Sequence, residues 1–279
     1  MNHTPTELTD ALGTQHRPAS GEARIVSLVP SLTELVCDMG LAANLVGRTG
    51  FCIHPRETLR AVTKVGGTKD VKLDLVRELA PTHLIVNIDE NRRETVEELA
   101  AFVPHVVVTH PCTPEDNFAL YRLFGALFDR RAEAERLAAD LAAALTEAHA
   151  VAAALPPEDV LYLIWREPWM GVARDTYIAA TLAAVGWRTL PAASDARYPQ
   201  IDWQAPGLQA AARVFASTEP YRFAERHLAE IRTLSGGRPA SLIDGEMTSW
   251  YGSRAAAGLR YLADLRRKLA EAEDSAAPL

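Results

Sequence analysis

The sequence is poor in cysteine and in net positive charge, and it lacks a long apolar run. Cys37, Cys52 and Cys112 are the three cysteines among 279 residues. This odd and small number excludes a disulfide framework and is typical of a reducing compartment. The formal net charge of −7 argues against the basic surface that sequence-independent nucleic-acid binding requires. No stretch of 18 apolar residues occurs, so the sequence predicts no membrane span.

The sequence also lacks a secretory signal and the common catalytic motifs. Residues 1–22 have no basic start, apolar stretch or small-residue cleavage site, so we expect a cytoplasmic protein; a leader removed from the chain would make it periplasmic. No Gly-x-Ser-x-Gly, Walker, His-Glu-x-x-His or dinucleotide-binding motif occurs, which favours a ligand-binding protein over an enzyme.

Short β-branched runs alternate with helical patterns in the first 110 residues and again after residue 157. Between them, apolar residues recur at helical spacing in an alanine-rich stretch, which predicts one long helix or two with a bend near Asp129. The pattern predicts an α/β protein with two Rossmann-like lobes, mainly parallel sheets and one long bridging α-helix. The expected divisions are a flexible N-terminal lead (1–22), an N-terminal lobe (23–113), the bridging helix (114–156), a C-terminal lobe (157–272) and a tail (273–279).

Several stretches resemble the helical-backbone (class III) periplasmic binding proteins that bind cobalamin and ferric siderophores, and they are most similar to the cobalamin-binding branch. The matching stretches are RIVSLVPSLTE (24–34), VGRTGFCIHP (46–55), VGGT (65–68), LAPTHLIV (79–86), STEPYRF (217–223) and WYGSR (250–254). The chain departs from that branch at Thr68, where cobalamin binders tend to carry tryptophan.

The resemblance implies a substrate-binding protein like those of ABC transporters, which holds a corrinoid (cobalamin-like) or a related metal chelate in the cleft between the lobes. Without a leader, we expect it to act inside the cell. An alternative is a regulator that binds heme or a siderophore. If the chain is exported, the resemblance implies that Glu94 and Glu219 dock an ABC permease.

In the first lobe, candidate ligand-binding residues follow the predicted strands. Ser31 and Glu34 read as a capping box, and the helix start at Pro30 and Ser31 suits an anionic or amide group; an ordinary capped helix is the alternative. By resemblance, Phe51 packs on the corrin ring, and His54 could ligate the metal or donate a hydrogen bond. Asn87 offers an amide to the ligand's acetamides.

In the second lobe, the candidates are aromatic residues and one arginine. Trp165 and Trp169 follow a predicted strand and either line a pocket or cap the core; Trp169 matches a family aromatic at the ligand. Trp250, Tyr251 and Arg254 match ligand contacts of the family. For Arg254, the alternative is a buried ion pair with Asp244 or Glu246.

Cysteine and histidine recur in two short pairs, Cys52-x-His54 and His110-x-Cys112. If both pairs converge, they could form a tetrahedral Zn²⁺ or other soft-metal site. A metal-dependent enzyme or a direct Zn or Fe binder is therefore a second hypothesis. The alternative is that a histidine in such a loop serves only as a hydrogen-bonding group.

Overall fold

A computed structural model describes residues 5–276 and divides into two compact units. Unit 1 comprises the residues up to Pro111, Glu115–Asp140 and Tyr251–Arg254; unit 2 comprises Cys112–Pro114, Leu141–Trp250 and the residues from Ala255 onward. The ends of the predicted lead and tail, residues 1–4 and 277–279, lie outside the described residues.

Unit 1 contains a five-stranded parallel sheet in the order β3-β2-β1-β4-β5. The central strands are built from buried β-branched and leucine side chains, as expected for a sheet covered on both faces. The strands are β1 Ile25–Ser27, β2 Leu45–Arg48, β3 Thr63–Lys64, β4 His83–Asn87 and β5 His105–Thr109, and the helices are α1 Pro30–Val36, α2 Leu73–Glu78, α3 Arg93–Ala100 and α4 Asn117–Leu127.

Unit 2 contains a second five-stranded sheet, in which β9, β10 and β8 run parallel to their neighbours and β7 pairs antiparallel with the end of β6. The strands are β6 Glu158–Trp165, β7 Met170–Gly171, β8 Trp187–Leu190, β9 Arg213–Ser217 and β10 Ala240–Ile243. Besides the long helix α5 described next, the helices are α6 Tyr177–Ala183, α7 Glu225–Leu234, α8 Gly245–Ser249 and α9 Ala255–Ala276. Both sheets confirm the predicted α/β fold with two lobes.

The predicted long helix is two helices, α4 and α5, where α5 spans Arg131–Ala154. The bend lies at Asp129, whose φ of 55° is left-handed and interrupts helical hydrogen bonding. Gly125 lets the two helices approach closely, because a Cβ there would lie 2.8 Å from the Cβ of Ala134. The division between the units falls within α5, after Asp140.

Among the described residues, α5 is the one helix long and apolar enough to cross a membrane, with a mean hydropathy of 1.3 over its most apolar window. Its buried side chains include Ala134, Leu137, Leu141 and Ala148. Their spacing of three, four and seven residues is that of a helix with one face packed on protein. Length and composition are therefore weak evidence for a span.

Two predictions about chain segments need correction. The capping box is wrong: α1 begins at Pro30 with Val29 as its N-cap and no side-chain cap, so Ser31 lies inside the helix. The lead is not flexible throughout, because Asp10 and His16 are buried in unit 1. At the other end, α9 runs to Ala276 and takes up part of the predicted tail.

Candidate functional site

The strand order reverses at one point in each sheet. At this switch point, one strand connects to a neighbour on one side of the sheet and a later strand lies on the other side. In unit 1 it lies between β1 and β4, and in unit 2 between β6 and β9. Ligands of open α/β sheets bind outside the carboxyl ends of the strands at such points. The loops after these strands are therefore the candidate site of each unit.

Exposed apolar side chains mark this edge in unit 1. Phe51 (61% exposed) and Ile53 lie in the loop after β2, and Ile88 lies in the loop after β4. Large apolar side chains are costly to leave in water unless they contact another molecule. Phe51 is placed as the sequence predicts for a ligand contact, whereas Ile53 and Ile88 were not predicted.

Unit 2 has the same feature at its own edge. Trp165, at the end of β6, is 41% exposed, and Tyr198, in the loop after β8, is also exposed. The Trp165 ring packs edge-on against Tyr221, which follows β9, with 5.6 Å between the centroids. The two rings therefore join the loops on either side of the switch point. Neither Tyr198 nor Tyr221 was predicted as a site residue.

Trp169 lies partly buried beside this edge rather than fully on it. Its ring stacks on Phe223 at 5.9 Å and meets Trp203 edge-on at 5.5 Å. The guanidinium of Arg166 lies 5.7 Å from the Trp169 ring centroid and pairs with Glu230 through two contacts of 3.1 Å. Trp169 thus supports the surface on which Trp165 is exposed.

Three of the first-lobe candidates lie at the same edge of the sheet with different exposure. Pro30 and His54 are half-buried. Ser31 is buried, and its hydroxyl tends to lower the pKa of Tyr251, which burial raises. Pro30 and His54 are therefore partly accessible to a ligand, whereas Ser31 is not.

Asn87 is a buried turn residue. Its side-chain oxygen accepts a hydrogen bond from the amide of Asp89 at 2.8 Å, and its amide nitrogen lies 3.4 Å from the Thr109 hydroxyl. The side-chain oxygen of Asn91 closes the same turn by accepting a hydrogen bond from the backbone N–H of Asn87 at 2.9 Å. Asn87 therefore has a structural role in this turn, and its amide contact with a ligand stays a prediction.

Trp250 and Glu219 form a buried pair, which bears on two predicted roles. The Trp250 indole donates to Glu219 Oε1 at 2.7 Å, and Ser249 donates to the same oxygen at 3.0 Å. Burial raises the pKa of Glu219, and these hydrogen bonds offset it only in part. An acid that docks a permease must be exposed, so the buried Glu219 does not suit that role. A ligand contact by Trp250 stays a prediction.

Tyr251 and Arg254 are engaged within unit 1. The Tyr251 hydroxyl donates to Glu90 at 2.6 Å; burial and then the Glu90 charge raise its pKa well above the usual value. Arg254 makes a two-pronged ion pair with Glu34, at 2.8 and 2.6 Å. The ion-pair alternative for Arg254 is therefore the better one, but its partner is Glu34 rather than Asp244 or Glu246.

The predicted metal site is not supported. Cys52 is buried, and its sulfur accepts a hydrogen bond from Thr33 at 3.0 Å; burial raises its thiol pKa, which disfavours the thiolate that binds metal. His110 lies 3.5 Å from Asp89, and Cys112 accepts from Arg197 at 3.8 Å. Across residues 5–276, no group of three or more His, Cys, Asp or Glu side chains could hold a metal ion.

Glu94 is the remaining docking candidate. It lies in the first turn of α3 and is exposed, a placement that suits an interaction with another protein. No contact in the structure tests this role, so docking by Glu94 stays a prediction.

The comparisons with known proteins agree with this geometry. A family model described as periplasmic binding protein matches residues 25–234, well over half of the chain, and the chain belongs to that family. A vitamin B12-binding protein of Photorhabdus laumondii is 23% identical over 186 residues, which cover 67% of each chain.

Two solved structures show the same fold. The vitamin B12-binding protein BtuF of Vibrio cholerae has a TM-score of 0.75 at 17% identity and covers 88% of this chain and 97% of its own. The heme-binding protein RhuT from Roseiflexus sp. RS-1 has a TM-score of 0.74 at 22% identity and covers 88% and 100%. As the resemblance predicted, the fold is that of the helical-backbone binding proteins.

Proposed function

We propose that this chain is a non-enzymatic binding protein for a metal-containing macrocycle, with a corrinoid such as cobalamin as the first candidate. The observation that carries the proposal is the placement of exposed apolar side chains. Of the six exposed large apolar residues among those described, four lie in loops that follow strands, Trp165 is the last residue of β6, and Leu12 is the exception. Such a distribution favours a large ligand with an apolar face.

The chemistry of these loops suits a flat ring better than a small polar solute. Phe51 and Trp165 offer aromatic faces, and burial of such a side chain contributes about 1.5–3 kcal/mol. Charged residues next to exposed apolar ones in the sequence, Asp89 after Ile88 and Arg166 after Trp165, suit the polar periphery of a macrocycle. The sequence predicts that residues of both units bind the same ligand, and this stays a prediction.

Heme is a second candidate. His54 lies in the same loop as the exposed Phe51 and Ile53, and imidazole suits iron as well as cobalt. The relatives named above include a B12-binding and a heme-binding protein with nearly equal TM-scores. The fold therefore does not choose between the two chelates.

Visible spectroscopy and calorimetry of the full chain with cobalamin, hemin and a ferric siderophore test the proposal. We expect one chelate to bind stoichiometrically, and Phe51→Ala and Trp165→Ala each to weaken it by about 10–100-fold, since tenfold corresponds to about 1.4 kcal/mol. Leu12→Ala is the matched control, because Leu12 is more exposed than either aromatic residue but lies away from the carboxyl ends of the strands. Failure of all three chelates to bind, or equal affinity of the two aromatic variants and the wild type, contradicts the proposal.

Location and partner remain predictions. The three free cysteines are compatible with retention in the cytoplasm, and intracellular storage, transfer or sensing of the chelate follows from that location. Docking to an ABC permease through Glu94 applies only to an exported form. A regulator that responds to heme or a siderophore is the alternative within the same binding function.

A further inference from the structure

Asn91 ends the turn that carries Ile88, and its half-buried side chain joins that turn to two other loops. The side-chain nitrogen of Asn91 donates hydrogen bonds to the Leu28 carbonyl at 3.3 Å and to the Thr68 carbonyl at 3.0 Å. Leu28 follows β1, Thr68 follows β3 and Asn91 follows β4. Because β1 and β4 flank the switch point of unit 1, the bond to Leu28 joins the two loops that border it.

The turn that carries Ile88 is closed by Asn91 and bonded to the neighbouring strand. Besides the bond from the Asn87 N–H to the side-chain oxygen of Asn91, the backbone N–H of Asn91 donates to the Asn87 carbonyl at 3.1 Å. The backbone N–H of Ile88 donates to the carbonyl of Thr109, the last residue of β5, at 3.2 Å. The backbone of Ile88 is therefore fixed, while the residue is 44% exposed.

Phe51 lies against the turn that contains Thr68. The backbone N–H of Gly50 donates to the carbonyl of Gly66 in that turn at 2.7 Å. A Cβ at Gly67 would lie 3.4 Å from Phe51 Cε2, so the aromatic ring lies beside the bare backbone of this glycine. The hydrogen bond to the carbonyl of Thr68, the next residue, therefore holds the segment that supports the Phe51 ring.

We infer that Asn91 is a positioning residue of the proposed ligand site, which holds Phe51 and Ile88 in place relative to each other before a ligand binds. The inference rests on the proposed function, in which exposed apolar side chains of these loops contact the chelate. Both the nitrogen and the oxygen of the Asn91 side chain are bonded to main-chain groups, so Asn91 acts through the loops. Loops that are fixed in advance lose less conformational entropy when a ligand binds.

Titration of the full chain with cobalamin and with hemin, followed by visible absorption, measures the effect on binding. Asn91→Ala should lower the affinity for the chelate that binds by about tenfold, because Phe51 and Ile88 must then be ordered during binding. Asn44→Ala is the matched control. The side chain of Asn44 likewise donates to a main-chain carbonyl, that of Ala23 at 2.9 Å, but at the amino ends of β1 and β2, so the affinity should stay unchanged.

A double-mutant cycle separates positioning from a general loss of stability. In a Phe51→Ala background, Asn91→Ala should weaken binding by only about threefold, because the ring that Asn91 positions is absent. In a Trp165→Ala background, which alters unit 2, the full effect of about tenfold should remain. An equal effect in the two backgrounds, or an unchanged affinity of Asn91→Ala, overturns the inference.

Hydrogen exchange of the ligand-free full chain, followed by NMR, gives a readout that does not depend on the chelate. In the wild type, the amides of Gly50 and Gly67 should be protected, since they donate to main-chain carbonyls at 2.7 and 2.8 Å. Asn91→Ala should raise the exchange rate of both amides by about fivefold or more, the effect of one lost hydrogen bond. The strands β1 and β4 should stay protected, and Asn44→Ala should behave like the wild type.

The two measurements distinguish this inference from the proposed function. If neither chelate binds to the wild type, the proposed function is wrong, and the exchange rates alone decide whether Asn91 holds the loops. Unprotected amides of Gly50 and Gly67 in the wild type, or equal exchange rates in the wild type and Asn91→Ala, overturn the inference. If Asn91→Ala does not fold, Asn91→Asp replaces it, because aspartate keeps the acceptor for the Asn87 N–H and loses both donated bonds.

Discussion

The replacement Glu158→Gln should strongly destabilise unit 2, because Glu158 is the shared acceptor of a buried ion network. Its carboxylate lies 2.8 Å from Arg266 Nη1 and 3.2 Å from Arg213 Nε, and it accepts a 2.9 Å hydrogen bond from the Trp187 indole. Arg266 and Arg213 are 2% and 4% exposed. Glutamine keeps the size of the side chain but removes the negative charge that two buried guanidinium groups share.

The expected loss is about 3 kcal/mol, within the range for one partner removed from a buried pair. Burial tends to raise the pKa of Glu158, but Arg266, Arg213 and Trp187 outweigh it and lower the pKa. Its stabilising contribution is therefore present at neutral pH and is lost as the pH drops through the folded-state pKa.

Urea unfolding followed by tryptophan fluorescence measures this loss, because all five tryptophans lie in unit 2. Urea leaves the ionic strength unchanged. A loss of about 3 kcal/mol in the free energy of unfolding lowers the urea midpoint by about 1.5 M. The control is Asp159→Asn, which removes the same charge from the next residue. Asp159 pairs with the half-exposed Arg188, so we expect a loss below about 1 kcal/mol. Equal losses in the two variants would refute the reasoning.

Two further predictions concern unit 1 and are measured by urea unfolding followed by circular dichroism. Arg254→Ala should lower the free energy of unfolding by about 3 kcal/mol, because Glu34 keeps a largely buried charge. The affinity for the chelate should stay unchanged. A loss of affinity without a loss of stability would indicate that Arg254 contacts the ligand. Gly66→Ala should cost about 2 kcal/mol or more, since φ is 113° and a Cβ would lie 2.2 Å from the Asp70 carbonyl oxygen. Gly13→Ala, with positive φ but open space, should cost about 1 kcal/mol, and equal costs would contradict the steric explanation.

Runs of β-branched and apolar residues predict most of the strands among the described residues but miss β3, β7 and β8. For β5, three consecutive valines between His105 and Thr109 favour a strand, as the structure has it. The two-residue strands β3 and β7 are too short for any periodicity. The four residues of β8 alternate between buried and exposed only in part, and its pairing with β6 becomes visible only in three dimensions.

Residues of the candidate site could be predicted where the neighbouring sequence alone identifies them. Phe51 and Trp165 are conspicuous aromatic residues after predicted strands, and both are exposed at the expected edge. Trp250 and Arg254 looked equally suitable, but their partners are 31 and 220 residues away. Their ordinary structural roles could therefore not be read from the neighbouring sequence. Ile88 could be found only from the strand order, since a single isoleucine in a loop has no pattern.

The way the two units share the chain constrains how the protein can be made. Unit 1 needs Tyr251–Arg254 as well as residues near the start of the chain, so its last four residues are synthesised after most of unit 2. The ordinary order of folding during synthesis, in which an N-terminal domain is finished first, is not open to this chain. During synthesis, unit 1 therefore remains incomplete until Tyr251 and Arg254 are available to Glu90 and Glu34. For the same reason, truncating the chain at one position yields neither unit intact.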